Sequence, residues 1–414
     1  MNLALINIQQ LVTVSSHGVR VKPGREMRDL GIIADACVLI ENSTITWVGP
    51  MSELTMSSLK EATVVDCEKK VVMPGFVDSH THALFAGSRE DEFTLRSEGT
   101  SYQDIAGRGG GILSTVNRVR ATGKKDLKKL ARRHLNGMLQ SGTTTVEIKS
   151  GYGLDPDNEI KMLEAINELA DEEIITIVST FLGAHAVPPE FSAKQADYVD
   201  LVCQKMVPYV AKKQLAAFCD VFCEQGYFTI ADSARILSAA HEHGMKLKIH
   251  ADELSSSGGA ELAGRLGATS ADHLEHVSEP EIQALQHGNV VATLLPGVSF
   301  FLNHSHAPAR ALIDAGVAVA LATDFNPGSC MSYSMPLMMT IACTQMRMSP
   351  EEVIVAGTLH GAAALDKSDE LGSIEIGKKA DIIVLDIPNY KFLTYHFGAN
   401  HVINVIKNGV VLEF

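Results

Sequence analysis

From Pro74 onward the chain repeats one unit: a short β-branched run, a polar residue or two, then a longer stretch with helical spacing. The runs are GFVDSH (75–80), TTTVEIK (143–149), IITIVST (174–180), AFCDVFC (217–223), MKLKIH (245–250), ATSADH (268–273), NVVATLL (289–295) and VAVALATD (317–324). Between them lie amphipathic segments such as DNEIKMLEAINELADEE and TIADSARILSAAHEHG. The second closes on a Gly where a helix C-cap falls. Strands that alternate with helices pair in parallel. Eight such units over residues 74–365 predict an α/β chain folded as a (β/α)8 TIM barrel. A doubly wound sheet is the alternative, but no G-x-G-x-x-G opens a helix after the first run. GRGGGI (107–112) follows a loop and reads as a mobile flap, with a phosphate cradle as the lesser reading.

The flanks differ from this pattern. ADACVLIENSTITWVGP (34–50) reads as two strands around a polar turn, and KKADIIVLDIPNY and NVIKNGVVLEF near the C-terminus also read as strands. Asn408-Gly409 is a hairpin signal. Residues 1–73 and 366–414 are therefore expected to pair as one small, discontinuous, β-sandwich-like domain beside the barrel at 74–365.

A chain of 414 residues, 46% hydrophobic, can bury a large core. Its formal charge of −14 argues against nucleic acid or an anionic membrane as partner. A small anionic substrate would need a local cation. The seven cysteines are scattered, and the nearest pair, Cys219 and Cys223, has no matching second pair. Reduced thiols in a cytoplasmic protein are expected. MNLALINIQQLVTVSS has no basic region and reads as a strand rather than a signal peptide, and no stretch has the length and apolar purity of a membrane helix.

The first run leads into His80 and His82, one residue apart. If the strand continues through Ser79 and Thr81, both rings face one point, because residues i and i+2 share a side. A metal is one reading, and two solvated histidines the other. Barrel active sites lie at the C-terminal ends of strands. His250 ends the fifth run, His273 the sixth and Asp324 the eighth. Alone, each reads as a satisfied buried residue. Together at one pole, His80, His82, His250 and Asp324 form a nitrogen and oxygen set suited to Zn2+ or Fe2+ with an open position.

PGFVDSHTH, IHADE, HLEH, LATDFNPGS and LGSIEIGKKADIIVLD resemble the amidohydrolase superfamily. HTHALFAGSREDEF, VEIKSGYGLD, TFLGAHAVPPEF, HADE and DFNPGS further resemble the imidazolonepropionase family, in order and over nearly the whole chain. The resemblance implies His80, His82, His250 and Asp324 as ligands of a divalent metal ion, Zn2+ or Fe2+/Fe3+. It implies Arg89, Tyr152, His185 and Glu253 as substrate contacts, with Asn326, Gly328 and Ser329 in a loop holding a carboxylate of substrate or product. Ser329 stands where the family often has Thr, which keeps the hydroxyl. Some superfamily members bridge two metals with a carboxylated lysine on strand four. CDVFCEQ has no lysine there, so one ion is expected. The implied reaction is hydrolytic opening of 4-imidazolone-5-propanoate to N-formimidoyl-L-glutamate. In it Glu253, with Asp324, handles the proton and His273 stabilises the oxyanion. A homodimer is likewise implied. A hydrolytic deaminase of a purine, pyrimidine or related ring is the near alternative. A non-enzymatic scaffold is the distant one, although such proteins usually lose metal ligands.

Each residue also has a plainer reading. Glu253 could be an acid at the start of the next helix. Arg89 could pair with Glu90 or Asp91, Tyr152 could sit exposed between Gly151 and Gly153, and His185 could bond backbone. A second His-x-His, His304 and His306, ends none of the eight runs and reads as a solvated loop. SMPLMMTIACTQMRM has its methionines at helical spacing, which points to core packing.

Overall fold

The computed structural model describes residues 2–55, 59, 62–100 and 110–413. Residues 107–109 of the Gly-rich flap lie outside the described residues. The N-terminal part supplies β1 (Asn2–Val12), β2 (Ile32–Glu41), β3 (Thr44–Pro50), β4 (Thr63–Asp66) and β5 (Val71–Pro74). Eight strands follow: β6 (Phe76–Asp78), β7 (Thr143–Lys149), β8 (Thr176–Ala184), β9 (Phe218–Cys223), β10 (Lys246–Ala251), β11 (Ser270–His273), β12 (Val291–Leu294) and β13 (Val319–Leu321). The chain ends with β14 (Ile382–Leu385), β15 (Val402–Lys407) and β16 (Val410–Leu412).

Each of the eight β-branched runs supplies one strand of a parallel sheet ordered β13 to β6. A parallel bridge between Thr81 and Phe325, just past β6 and β13, brings the two edges together. At the same seam Asp78 accepts from the Thr323 N–H (3.0 Å) and hydroxyl (2.6 Å). This is a (β/α)8 barrel, and its helices start where their caps are written. Asp155 accepts from Asn158 N–H (2.8 Å) before Pro156–Glu172. Thr229 and Asp232 form a capping box before Ile230–Glu242.

The termini meet in one eight-stranded mixed sheet, ordered β16-β15-β14-β5-β1-β2-β3 with β4 against β1. The Asn408-Gly409 turn joins β15 to β16 with both residues at positive φ (50° and 74°), as a two-residue hairpin requires. Alternation along β5 and β14 sends side chains to two cores. Val72, Ile382 and Val384 pack with Leu5, Val38 and Ile406 inside the terminal sheet. Val71, Met73, Ile383 and Leu385 join the barrel's core. The methionine-rich segment packs as expected, with Met335, Met338 and Met339 buried. All seven cysteines are free. No helix among the described residues is long and apolar enough to cross a membrane.

Candidate active site

His80 and His82 lie beyond β6, yet they converge. The Thr81 bridge keeps this segment extended. Asp324 donates its N–H to His80 O (3.0 Å), and His82 donates its own to Phe325 O (3.0 Å). The seam that closes the barrel therefore aims the two imidazoles. His80 Nε2 and His82 Nε2 lie 3.5 and 3.4 Å from Asp324 Oδ1. His80 also groups with His250 and His273, each offering a ring nitrogen within 4.8 Å of the others. His80 Nε2, His250 Nε2 and Asp324 Oδ1 are buried and have no hydrogen-bond partner among the described residues. Burial holds His80 and His82 well below the usual histidine range, so both are neutral, the form that binds a metal. Burial pushes the Asp324 carboxyl up to about 7, a penalty that a bound cation offsets. Three imidazole donors, a carboxylate and unsatisfied lone pairs fit a divalent cation.

Beneath this cluster lies a charged layer that sequence reasoning passed over. Asp272 Oδ2 is 2.6 Å from His80 Nδ1, and Asp220 Oδ2 is 3.0 Å from His250 Nδ1. Lys149 Nζ reaches Asp220 at 2.8 Å, Glu147 at 2.9 Å and Asp272 at 3.6 Å. Lys248 donates to Ser79 O (2.8 Å) and faces Glu147 at 3.4 Å. The signal was present in EIK, CDV, KLKIH and SADH, where charges recur inside β-branched runs at the spacing of the inward face.

Glu253 follows β10 in a loop whose backbone is held by two other acids. Asp252 accepts from Gly258 N–H (3.0 Å) and Ala260 N–H (2.9 Å), so the helix-start role considered for Glu253 falls to Asp252. Glu224 accepts from Leu254 N–H (2.9 Å). Glu253 faces His273 Nε2 at 3.6 Å, while Glu275 stands 3.7 Å from His273 Nδ1. Burial, then Glu275 and Asp324, push the Glu253 carboxyl well above its usual range. A carboxyl raised in this way and facing the site is placed to exchange a proton with a reacting group. His273, Leu274 and Asp324 all adopt positive φ (83°, 69° and 48°), so part of the site's backbone is held in the left-handed region.

A cavity of about 490 Å3 opens over this cluster. His82, Arg89, Tyr152, His185, His250, Glu253, His273, Asp324, Asn326, Gly328 and Ser329 line it, and His80 lies beneath, fully buried. Arg89 pairs with neither Glu90 nor Asp91. Among the described residues its one ion-pair contact is Glu92 at 3.9 Å, and its Nε and Nη1 are buried without hydrogen-bond partners. The guanidinium presses on Gly328, where an added Cβ would meet Nη2 at 1.2 Å. Asn326 spends its amide on the loop: Nδ2 donates to Asp324 O and Ser329 Oγ (both 2.7 Å), and Oδ1 accepts from Gly328 and Ser329 N–H (2.7 and 2.9 Å). Tyr152 is buried, not exposed. Glu159 gathers the N–H groups of Gly151, Gly153 and Leu154 around it (3.1, 2.8 and 2.9 Å). His185 stacks on His82 (4.9 Å between centroids) and bonds Gly151 O through Nδ1 (3.1 Å). His304 lines the outer cavity from a loop, and the candidate metal groups among the described residues include neither it nor His306.

A parallel barrel carrying imidazoles and carboxylates at its C-terminal mouth defines a class, the metal-dependent hydrolases of the amidohydrolase type. Residues 71–412 match the Amidohydrolase family. The chain is 48% identical over 404 residues to an imidazolonepropionase of Parabacteroides distasonis, covering 97% of each. It is 47% identical over 414 residues to one of Porphyromonas gingivalis, covering 100% of this chain and 97% of that one. Among solved structures, an adenosine deaminase from Xanthomonas campestris with bound zinc superposes with a TM-score of 0.73 at 19% identity. That match covers 99% of this chain and 92% of the other, a likeness of fold. The chain belongs to the amidohydrolase family and, within it, to the imidazolonepropionases.

Proposed function

We propose that this chain hydrolyses the ring amide of 4-imidazolone-5-propanoate and releases N-formimidoyl-L-glutamate. The observation that carries the substrate assignment is the Arg89 guanidinium at the wall of a cavity floored by imidazoles and acids, its Nε and Nη1 buried with no hydrogen-bond partner among the described residues and only the 3.9 Å contact to Glu92 beside it. In a chain of formal charge −14, a guanidinium with hydrogen-bond donors to spare at that place suits an anionic ligand. Kinship with imidazolonepropionases at 45–48% identity supports the same substrate.

His80, His82, His250 and Asp324 would hold one divalent ion; His80 is common to the group with His82 and Asp324 and to the group with His250 and His273. Zn2+ and Fe2+/Fe3+ both suit such donors, and the ion supplies Lewis acidity and a lowered pKa for water. Arg89 binds the propanoate, and Tyr152 and His185 wall the ring, fixing its carbonyl carbon in register. Glu253 takes a proton from the attacking water as its oxygen joins that carbon. His273, kept neutral by burial, donates a ring N–H to the oxyanion. Glu253 then returns the proton to the ring nitrogen as the carbon–nitrogen bond breaks.

Incubation of the purified protein with imidazolone propanoate tests this directly. Ring opening without ammonia release is expected. Stoichiometric ammonia from a nucleobase, at a rate that imidazolone propanoate does not match, would replace this reading with a deaminase. Arg89→Met should raise KM roughly ten- to a hundredfold, since a charge-assisted bond contributes about 1.5–3 kcal/mol. An analogue without the carboxylate should be nearly indifferent to that change.

A further inference from the structure

Two of the imidazoles at the metal position reach it from distant parts of the chain, His80 after β6 and His250 from β10. A ring can present Nε2 to a cation only if its other nitrogen is held. Each faces a carboxylate, His80 through a hydrogen bond and His250 through a close ion-pair contact. The Nδ1 of His80 meets Asp272 at 2.6 Å, and that of His250 meets Asp220 at 3.0 Å. Neither carboxylate is solvated, and neither stands alone. Lys149, at the end of β7 and fully buried, lies between them, 2.8 Å from Asp220 and 3.6 Å from Asp272. Glu147, two residues back on the same strand, completes the ammonium's surroundings at 2.9 Å.

We propose that Lys149 is a positioning residue for the metal centre, a hub that ties Asp220 and Asp272 and through them turns His250 and His80 toward one point. A buried carboxylate with no cation beside it would recoil from its acidic neighbours, and that movement frees the imidazole that it orients. Lys149 touches neither substrate nor metal position. Its effect passes through two carboxylates to two rings, so it sets the geometry of the centre from below. Lys248 lies as near Asp272 (3.7 Å) but turns to Ser79 O and Glu147, and among the described ion pairs only Lys149 also reaches Asp220, so Lys149 is the one that joins the two carboxylates.

The inference rests on the metal reading above, and the test separates the two. Holoprotein loaded with Zn2+ is titrated with a chromophoric chelator, and the Co2+-loaded protein is recorded by visible absorption. Lys149→Gln should weaken Zn2+ binding about 10–100-fold and shift the Co2+ bands. Lys407→Gln is the control. Lys407 is another fully buried lysine, paired with Asp381 at 2.6 Å away from the site. Its loss should lower the melting temperature and leave both metal readouts unchanged. If Lys149→Gln does not fold, Asp272→Asn, which keeps shape and removes one charge, must show the same two changes. Wild-type affinity with an unmoved Co2+ spectrum in a folded Lys149→Gln or Asp272→Asn overturns the hub. A wild-type protein that retains no Zn2+ overturns the metal reading instead.

Discussion

At the residue scale, the site separates groups that act from groups that hold. Glu253 is placed to act, and Glu253→Gln keeps its shape but cannot carry a proton. Its kcat should fall about 10²–10⁴-fold with metal content unchanged, as steady-state kinetics and metal analysis would show. Gly328 holds by being absent. Any side chain there would occupy the place of the Arg89 guanidinium. Gly328→Ala should therefore raise KM about as much as Arg89→Met does, roughly ten- to a hundredfold, and the double variant should be little worse than either. Additive effects in that cycle would show that the two residues serve the ligand separately. Glu253 and Arg89 were legible in the sequence because each follows a motif that ends a strand. The role of Gly328 was legible only by resemblance, since what a glycine leaves room for depends on a neighbour 239 positions away.

At the element scale, the loop after β10 shows how a catalytic acid is aimed. Asp252 collects the N–H groups that open the helix Gly259–Leu266, and this fixes where residue 253 points. Asp252→Ala should cost about 0.5–2 kcal/mol of stability, by denaturant unfolding, and lower kcat as well. A second element-scale device is His360. Its Nδ1 donates to Val319 O on β13 (2.9 Å), and its Nε2 accepts from Lys22 N–H (3.0 Å), so it must be neutral. Burial, opposed by the bond to Val319 and reinforced by Lys22 and Arg20, holds it down to about 4. A histidine depressed in the folded state contributes stability that is full above its unfolded value of about 6.5 and lost as pH falls towards 4. Thermal unfolding followed from pH 7 to 4 should show this loss, and His360→Gln should flatten it.

At the scale of the whole molecule, the terminal sheet is an extension of the barrel. β5 and β14 each feed two cores by alternation, which is why VVM and DIIVL read as unbroken apolar runs. Lys407 ties the two bodies from below. Its Nζ meets Asp381 Oδ2 (2.6 Å) and donates to Thr176 Oγ1 (2.7 Å), where β8 begins. That is the barrel face opposite the mouth, where interactions serve stability. Lys407→Met leaves the buried Asp381 carboxylate with the Asn408 N–H but no cation, so it should cost roughly 3–5 kcal/mol. Its kcat/KM, measured well below the melting temperature, should match wild type. A loss of kcat/KM in fully folded protein would show that strain travels through β8 to the site.

What the sequence determined by itself is whatever local periodicity and strand-end chemistry encode. The eight β-branched runs, the Asn408-Gly409 turn, and the placing of His80, His82, His250, His273 and Asp324 at strand ends all follow from spacing alone. Only the tertiary structure decided which of the buried charges belong to one another. Lys149 and Asp220 are 71 residues apart, and His80 and Asp272 are 192 apart. Nothing in either neighbourhood marks them as partners. A charge inside an apolar run announces that it must be compensated, because burying it alone costs several kcal/mol. Which strand brings the compensation is settled by the order and stagger in which the barrel closes.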